Sequence, residues 1–94
     1  MRVLWTDAAL EDLDAQTEYI AQYNPSKAAE LFQHVLDVVD NLARFPLLGR
    51  EGRVAGTREL IIGNTPYIVA YRLRDNFAEV VAVKHAAQNW PTHF

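Results

Sequence analysis

The chain has 94 residues, 50% hydrophobic and 22% charged, with a formal net charge of −3. That length allows one domain, and that composition excludes a wholly disordered chain. The absence of cysteine excludes disulfide staples, thiolate nucleophiles and cysteine zinc sites, and no apolar run approaches the ~18–20 residues of a membrane span.

Arg2 to Trp5 reads as a first strand. It runs at once into Asp7, Glu11, Asp12 and Asp14, which is not the pattern of a signal peptide; the cytoplasm is the expected location. Thr6 or Asp7 caps the helix that follows, and the early acids suit the positive end of its dipole. Leu10, Leu13, Thr17 and Ile20 recur at helical spacing. Asn24 then serves as N-cap and Pro25 as first residue of a second helix, expected to run to about Arg44. Its apolar face holds Ala28, Phe32, Val35, Val39 and Leu42, widened by Leu31, Leu36 and Val38. A joint this short predicts an antiparallel helical hairpin.

Phe45-Pro46 stops the second helix. Residues 46–57 hold three of the four glycines and read as a long, irregular, cationic connection. Three strands follow: Arg58 to Ile62, Tyr67 to Leu73 and Phe77 to Lys84, separated by Gly63-Asn64-Thr65-Pro66 and Arg74-Asp75-Asn76. Alternation places Tyr67, Val69, Tyr71 and Leu73 on one face, with Ile68, Ala70 and Arg72 on the other. The tail from His85 to Phe94 has no period. The expected fold is a single α+β domain over residues 1–94: an N-terminal strand and an α-helical hairpin packed on a small antiparallel β-sheet. One sheet face is left with nothing to cover it.

Charge is unevenly spread. Residues 1–40 carry two cations against eight acids; residues 41–94 carry seven cations, six of them Arg, against four acids. Either the acidic helical half attracts the basic sheet half, or the arginines form a surface for an anionic partner, which their planar forks suit.

One imidazole among guanidinium groups also has a chemical logic. Cleavage of RNA by its own 2′-OH needs a base, an acid and stabilisation of the charged phosphorane. Arg58, Arg72 and His85 are the candidates for such a set, with Arg50 and Arg53 on the neighbouring loop. The scheme requires no metal or cofactor. His34 and His93 read as surface residues, and the three histidines lack metal-ligand spacing. Tyr67, Tyr71, Phe77 and Trp90 invite a base-stacking reading, but the parity of Tyr67 and Tyr71 with Val69 assigns at least one to the core. Trp90, before Pro91, either covers the sheet or enters a partner's groove.

The order and spacing of these pieces resemble the RelE/ParE superfamily of bacterial type II toxin–antitoxin toxins. The resemblance lies in Ala9-Leu10-Glu11-Asp12-Leu13, Tyr19-Ile20-Ala21, Asn24-Pro25, Ala28-Ala29, Leu42 with Phe45-Pro46, Gly49-Arg50 and Gly56-Thr57-Arg58-Glu59-Leu60. It continues through Tyr67-Ile68-Val69-Ala70-Tyr71-Arg72, His85, Gln88 and Trp90-Pro91, and so covers nearly the whole chain. It implies a toxin wrapped and blocked by a cognate antitoxin, the pair contacting operator DNA through the antitoxin alone. The expected partner surface is Arg50, Arg53, Arg58, Tyr71, Arg72 and Trp90, with an acidic, partly apolar antitoxin segment docking on the sheet side. Two mechanisms are implied: poisoning of DNA gyrase, as in ParE-like members, or cleavage of ribosome-bound mRNA, as in RelE-like members. Glu59, Ile61 and Ile68 stand where the RelE pattern carries basic residues, which favours gyrase.

Overall fold

Each helix starts where a side-chain oxygen can satisfy an orphan amide. The Thr6 hydroxyl accepts the Ala9 N–H at 3.1 Å, so Thr6 is the cap and Asp7 falls in the first turn. The Asn24 side chain accepts the Lys27 N–H at 3.1 Å, and Pro25 fills the first helical position, where no N–H is needed. The computed structural model describes Met1–Phe94. In chain order it contains β1 (Arg2–Trp5), α1 (Asp7–Ala21), α2 (Pro25–Asp40), a 3₁₀ turn (Asn41–Ala43), β2 (Arg50–Glu51), β3 (Arg58–Ile61), β4 (Tyr67–Arg74) and β5 (Phe77–His85). Neither helix is long and apolar enough to cross a membrane.

The buried face of α1 is Ala9, Leu13 and Thr17, spaced by four residues. Leu10, expected in that stripe, is exposed. The helix turns toward Ala9 because a small residue lets it approach β5 closely, and the Thr6 hydroxyl pins its start to the Val80 carbonyl at 2.9 Å. Buried Thr17 costs little because its hydroxyl donates to the Leu13 carbonyl at 2.9 Å. α2 buries Ala28, Leu31, Val35 and Val39; Phe32 and Leu36 pack at its margins. It ends sooner than expected, tightening into the 3₁₀ turn that seats Leu42 in the core.

The sheet order is β1-β5-β4-β3-β2. β2 to β5 pair antiparallel, as expected, but β1 joins β5 in parallel, so the sheet is mixed. Bonds from the Thr6 amide and hydroxyl to Val80 set that direction. The expected irregular stretch 46–57 contains β2, a two-residue edge strand.

A bulge decides which residues face the helices. Ala70 pairs with Ala82, whereas Tyr71 pairs with Val80. Val81 is therefore an extra residue on β5. Ala78, Val80 and Val83 point into the main core with Leu13, Val35, Val39, Leu42, Val69 and Tyr71. Val81 and Ala82 both point to the other face, beside Ala70. That second face is not bare: Trp90 and Phe94 of the tail pack on it.

Candidate functional site

The connection between the 3₁₀ turn and β3 is clasped from beneath. The Tyr71 hydroxyl donates to the Pro46 carbonyl at 2.7 Å and accepts the Gly49 N–H at 2.9 Å. The Arg58 guanidinium donates to the Gly49 carbonyl at 2.9 Å and the Leu47 carbonyl at 3.2 Å. A Cβ on Gly49 would lie 2.7 Å from the Tyr71 ring and 2.8 Å from the Glu59 carbonyl oxygen, so no side chain fits there. Tyr71, expected on the partner surface, is fully buried. It holds the loop and offers nothing to a partner, because its ring shares the helix-facing side of β4 with Val69.

Above this clasp two arginines converge on one carboxylate. Cross-strand pairing sets Arg50 opposite Glu59, with Arg50 Nη2 3.0 Å from Glu59 Oε1. Arg53 reaches the other oxygen through Nε at 2.9 Å and through its backbone N–H at 2.8 Å. Glu59 is 2% exposed, whereas the Arg50 and Arg53 side chains are 55% and 40% exposed. Burial by itself pushes the Glu59 carboxyl up. The hydrogen bonds from Arg53 and Arg50, with the Arg53 charge, outweigh burial and hold it at about 2. Arg53 also lies over the Trp90 ring, 3.8 Å from its centroid, a cation–π contact. The Trp90 indole Nε1 is buried there without a hydrogen-bond partner.

Arg72 lies on the same sheet face. Its Nε donates to Glu79 on β5 at 2.6 Å, and it borders a shallow cavity with Val81 and Phe94. The attraction between an acidic and a basic half is therefore mostly absent. Arg50, Arg53 and Arg72 find acids within their own half, and Lys84 with Asp12, at 3.5 Å, is the ion pair between the halves.

His85 sits elsewhere. It pairs with Tyr67 at the open end of the β4–β5 hairpin, while Arg72 pairs with Glu79 near its turn. Five residues of strand separate those positions, on the order of 16 Å at ~3.3 Å per residue. The His85 ring packs edge-on against Tyr67, centroids 5.6 Å apart, and its Nδ1 accepts the Ala87 N–H at 3.0 Å. Arg58 is opposite Tyr71, adjacent to Arg72 in register but directed to the other face. The three residues expected to form a cleavage site are thus held apart. His34 is exposed and lies 3.2 Å from the Gly63 carbonyl, linking α2 to the β3–β4 turn. No three metal-ligating side chains converge.

The arrangement brings Arg50, Arg53 and Trp90 into one surface around Glu59. In the sequence Glu59 stands out only as a position lacking a cation. The signal available in the sequence was its isolation, a single acid in a strand preceded by three arginines.

The description "ParE toxin of type II toxin-antitoxin system, parDE" belongs to the family model that matches residues 3–90. Y4kP of Sinorhizobium fredii, a protein named as a toxin, is 41% identical over 90 residues, covering 96% of this chain and 93% of that protein. Toxin RelE2 of Caulobacter vibrioides is 36% identical over 87 residues, covering 93% of this chain and 97% of that one. Among solved structures, a chain of the chromosomal ParDE toxin–antitoxin system from P. aeruginosa has a TM-score of 0.82 at 25% identity, over 90% of this chain and 95% of that one.

Proposed function

The chain belongs to the ParE toxin family of type II toxin–antitoxin systems, and we propose that it arrests growth by trapping DNA gyrase on DNA and is neutralised by a cognate antitoxin. The observation that carries this reading is the separation of Arg58, Arg72 and His85. General acid–base cleavage of one phosphodiester needs its groups within hydrogen-bond reach of the same few atoms, ~3 Å from each. Three groups spread over two faces and two ends of a sheet do not meet that need. Arg58 and Arg72 are moreover engaged, one on backbone carbonyls and the other on Glu79.

A different group of residues suits recognition of a protein. Arg50, Arg53 and Trp90 form a rigid cationic and aromatic group at the β2 edge, the residue types that dominate binding hot spots. Their geometry is set before binding, because Glu59 holds both guanidinium groups, so little side-chain entropy is lost on docking.

The test is a gyrase assay with the purified chain. Supercoiling should be blocked, and protein-linked linear plasmid should accumulate when the reaction is stopped with denaturant. Normal supercoiling at excess chain, together with new in-frame cuts in cellular mRNA on induction, would replace this reading with ribosome-dependent RNA cleavage.

A further inference from the structure

Of the nine Lys and Arg residues, five pair with acids: Lys27, Arg50, Arg53, Arg72 and Lys84. Arg58 is engaged by the Gly49 and Leu47 carbonyls. Arg2, Arg44 and Arg74 remain. All three are exposed, and none joins a carboxylate. They come from three separate stretches of the chain, yet the fold gathers them at one end. β5 begins at Phe77, which is opposite Arg2 on β1 and Arg74 on β4. Residues opposite one another share a face, so Arg2, Phe77 and Arg74 form one row across three strands. Two strand spacings, about 10 Å, separate the backbones of the two arginines. The main-chain nitrogen of Met1 donates to the Ala43 carbonyl at 3.3 Å, which sets Arg44 beside the start of β1.

Two of the three stack on phenylalanine. Arg2 Cζ lies over the Phe77 ring, 5.9 Å from its centroid, and Arg44 Cζ over the Phe45 ring at 5.5 Å. A ring engages the flat face of a guanidinium and leaves its N–H edges turned outward. Those edges are what a phosphate takes, two bonds at a time. Asp75 and Asp40 are the acids nearest these arginines in the chain, and neither captures a guanidinium. The acidic helix α1 leads away from this end. Its Asp12 accepts the Val83 N–H at 3.0 Å and its Gln16 donates to Gln88 at 3.1 Å, both toward the far end of β5. A chain of net charge −3 is thereby polarised, with its unpaired arginines at one end, and such a field orients the molecule toward a polyanion.

We infer that the Arg2–Arg44–Arg74 end holds the phosphate backbone of duplex DNA. The choice of DNA rests on the gyrase reading, which sets the chain beside a duplex. A span of about 10 Å reaches phosphates roughly three steps apart on one strand. Contacts of this kind position a protein on DNA and carry no sequence information. The group shares no residue with the Glu59 cluster, so the two surfaces can be altered one at a time.

The experiment needs no gyrase. The full chain is titrated into a short labelled duplex of arbitrary sequence at several low salt concentrations, and binding is followed by fluorescence anisotropy. Arg2→Gln combined with Arg74→Gln should weaken binding at least roughly tenfold and flatten the slope of log K against log salt by nearly 2, at about 0.9 for each phosphate contact. Arg44→Gln alone should remove about 0.9 of that slope. These variants should melt like the parent, because the side chains are exposed and pair with no acid. Lys27→Gln, at the joint between the helices, should leave the slope unchanged. If the double variant does not fold, Arg44→Gln and the parent's own salt slope decide. No binding by the parent at low salt, or an unchanged slope in the arginine variants, overturns the contact and leaves the gyrase reading standing. An equal loss in Lys27→Gln would reduce the effect to total charge and overturn it too. Polyglutamate of matched charge binding as tightly as the duplex would assign this end to an acidic protein and overturn the DNA assignment. A failed gyrase reading shows separately, as normal supercoiling at excess chain, and does not alter what the duplex titration reads.

Discussion

Two ends of one sheet carry the residues that invite chemistry, and they are built differently. At the β2 edge Glu59, Arg50, Arg53, Arg58 and Tyr71 form a set of buried or half-buried polar groups joined to one another and to the loop backbone by hydrogen bonds. At the open end of the β4–β5 hairpin the His85 ring meets the Tyr67 edge and the Ala87 amide, and its backbone N–H donates to the Gln88 side chain. Burial of Glu59 and Tyr71 makes a missing partner there expensive, since an orphaned carboxylate or hydroxyl partner cannot turn to water. Changes at the half-exposed His85 are relieved by solvent. A cluster of arginines thus reads here as a device that shapes a loop and an edge, while the histidine is locally tethered and free of any such set.

The sharpest way to break the β2 edge is Gly49→Val. Its Cβ would meet the Tyr71 ring and the Glu59 carbonyl, one of them backbone, so the loop must shift. A loss of about 3 kcal/mol is expected, seen as a fall in Tm of roughly 12–24 °C for a domain of this size. A variant melting like the parent would show that the clasp does not hold the loop.

Glu59→Gln should cost about 2 kcal/mol, because two arginines lose their shared charge while the amide keeps some hydrogen bonds. The pH dependence sharpens this. The carboxyl is held at about 2 in the fold against an ordinary 4.5, so the unfolded chain binds its proton first as pH falls. The stabilisation from Glu59 is complete above about 4.5 and fades as pH drops toward 2. Urea melts between these values should show that slope in the parent and a weaker one in Glu59→Gln.

Tyr71→Phe keeps the ring and removes the hydroxyl, leaving the Gly49 N–H and the Pro46 carbonyl without it. The expected loss is about 1–2 kcal/mol, with increased proteolysis of residues 46–57 as the accompanying sign. Trp90→Phe should change stability by less than about 1 kcal/mol, because it removes an indole N–H that has no partner while keeping an aromatic ring beneath Arg53. His85→Ala marks the other end of the comparison: a change within about 1 kcal/mol and undiminished growth arrest on induction. Loss of arrest in a normally folded His85→Ala chain would return this residue to an active role.

Much of the fold was legible because its signals are local. Thr6, Asn24 and Pro25 declare helix starts within three residues of themselves, and Phe45-Pro46 declares a stop. The turns at Gly63-Asn64 and Asp75-Asn76 use residues that tolerate positive φ, and Asn64 and Asp75 do adopt it, at 63° and 49°. Family resemblance was legible for the same reason, as many short pieces in a fixed order. The buried face of α1 begins at Ala9 and not Leu10, since both satisfy a helical period and only contact with β5 separates them.

What the sequence alone determined, then, was the elements other than β2 and the 3₁₀ turn, their order and the family. The tertiary structure decided the parallel docking of β1, the extra residue at Val81, the cover over the second sheet face, and the partners of Arg50, Arg53, Arg58 and Arg72. Those depend on strand register, which joins residues far apart in the chain and shifts side chains between faces with a slip of one. That register set Glu59 between Arg50 and Arg53 and placed Arg72 beside Glu79, and it left His85 at the far end.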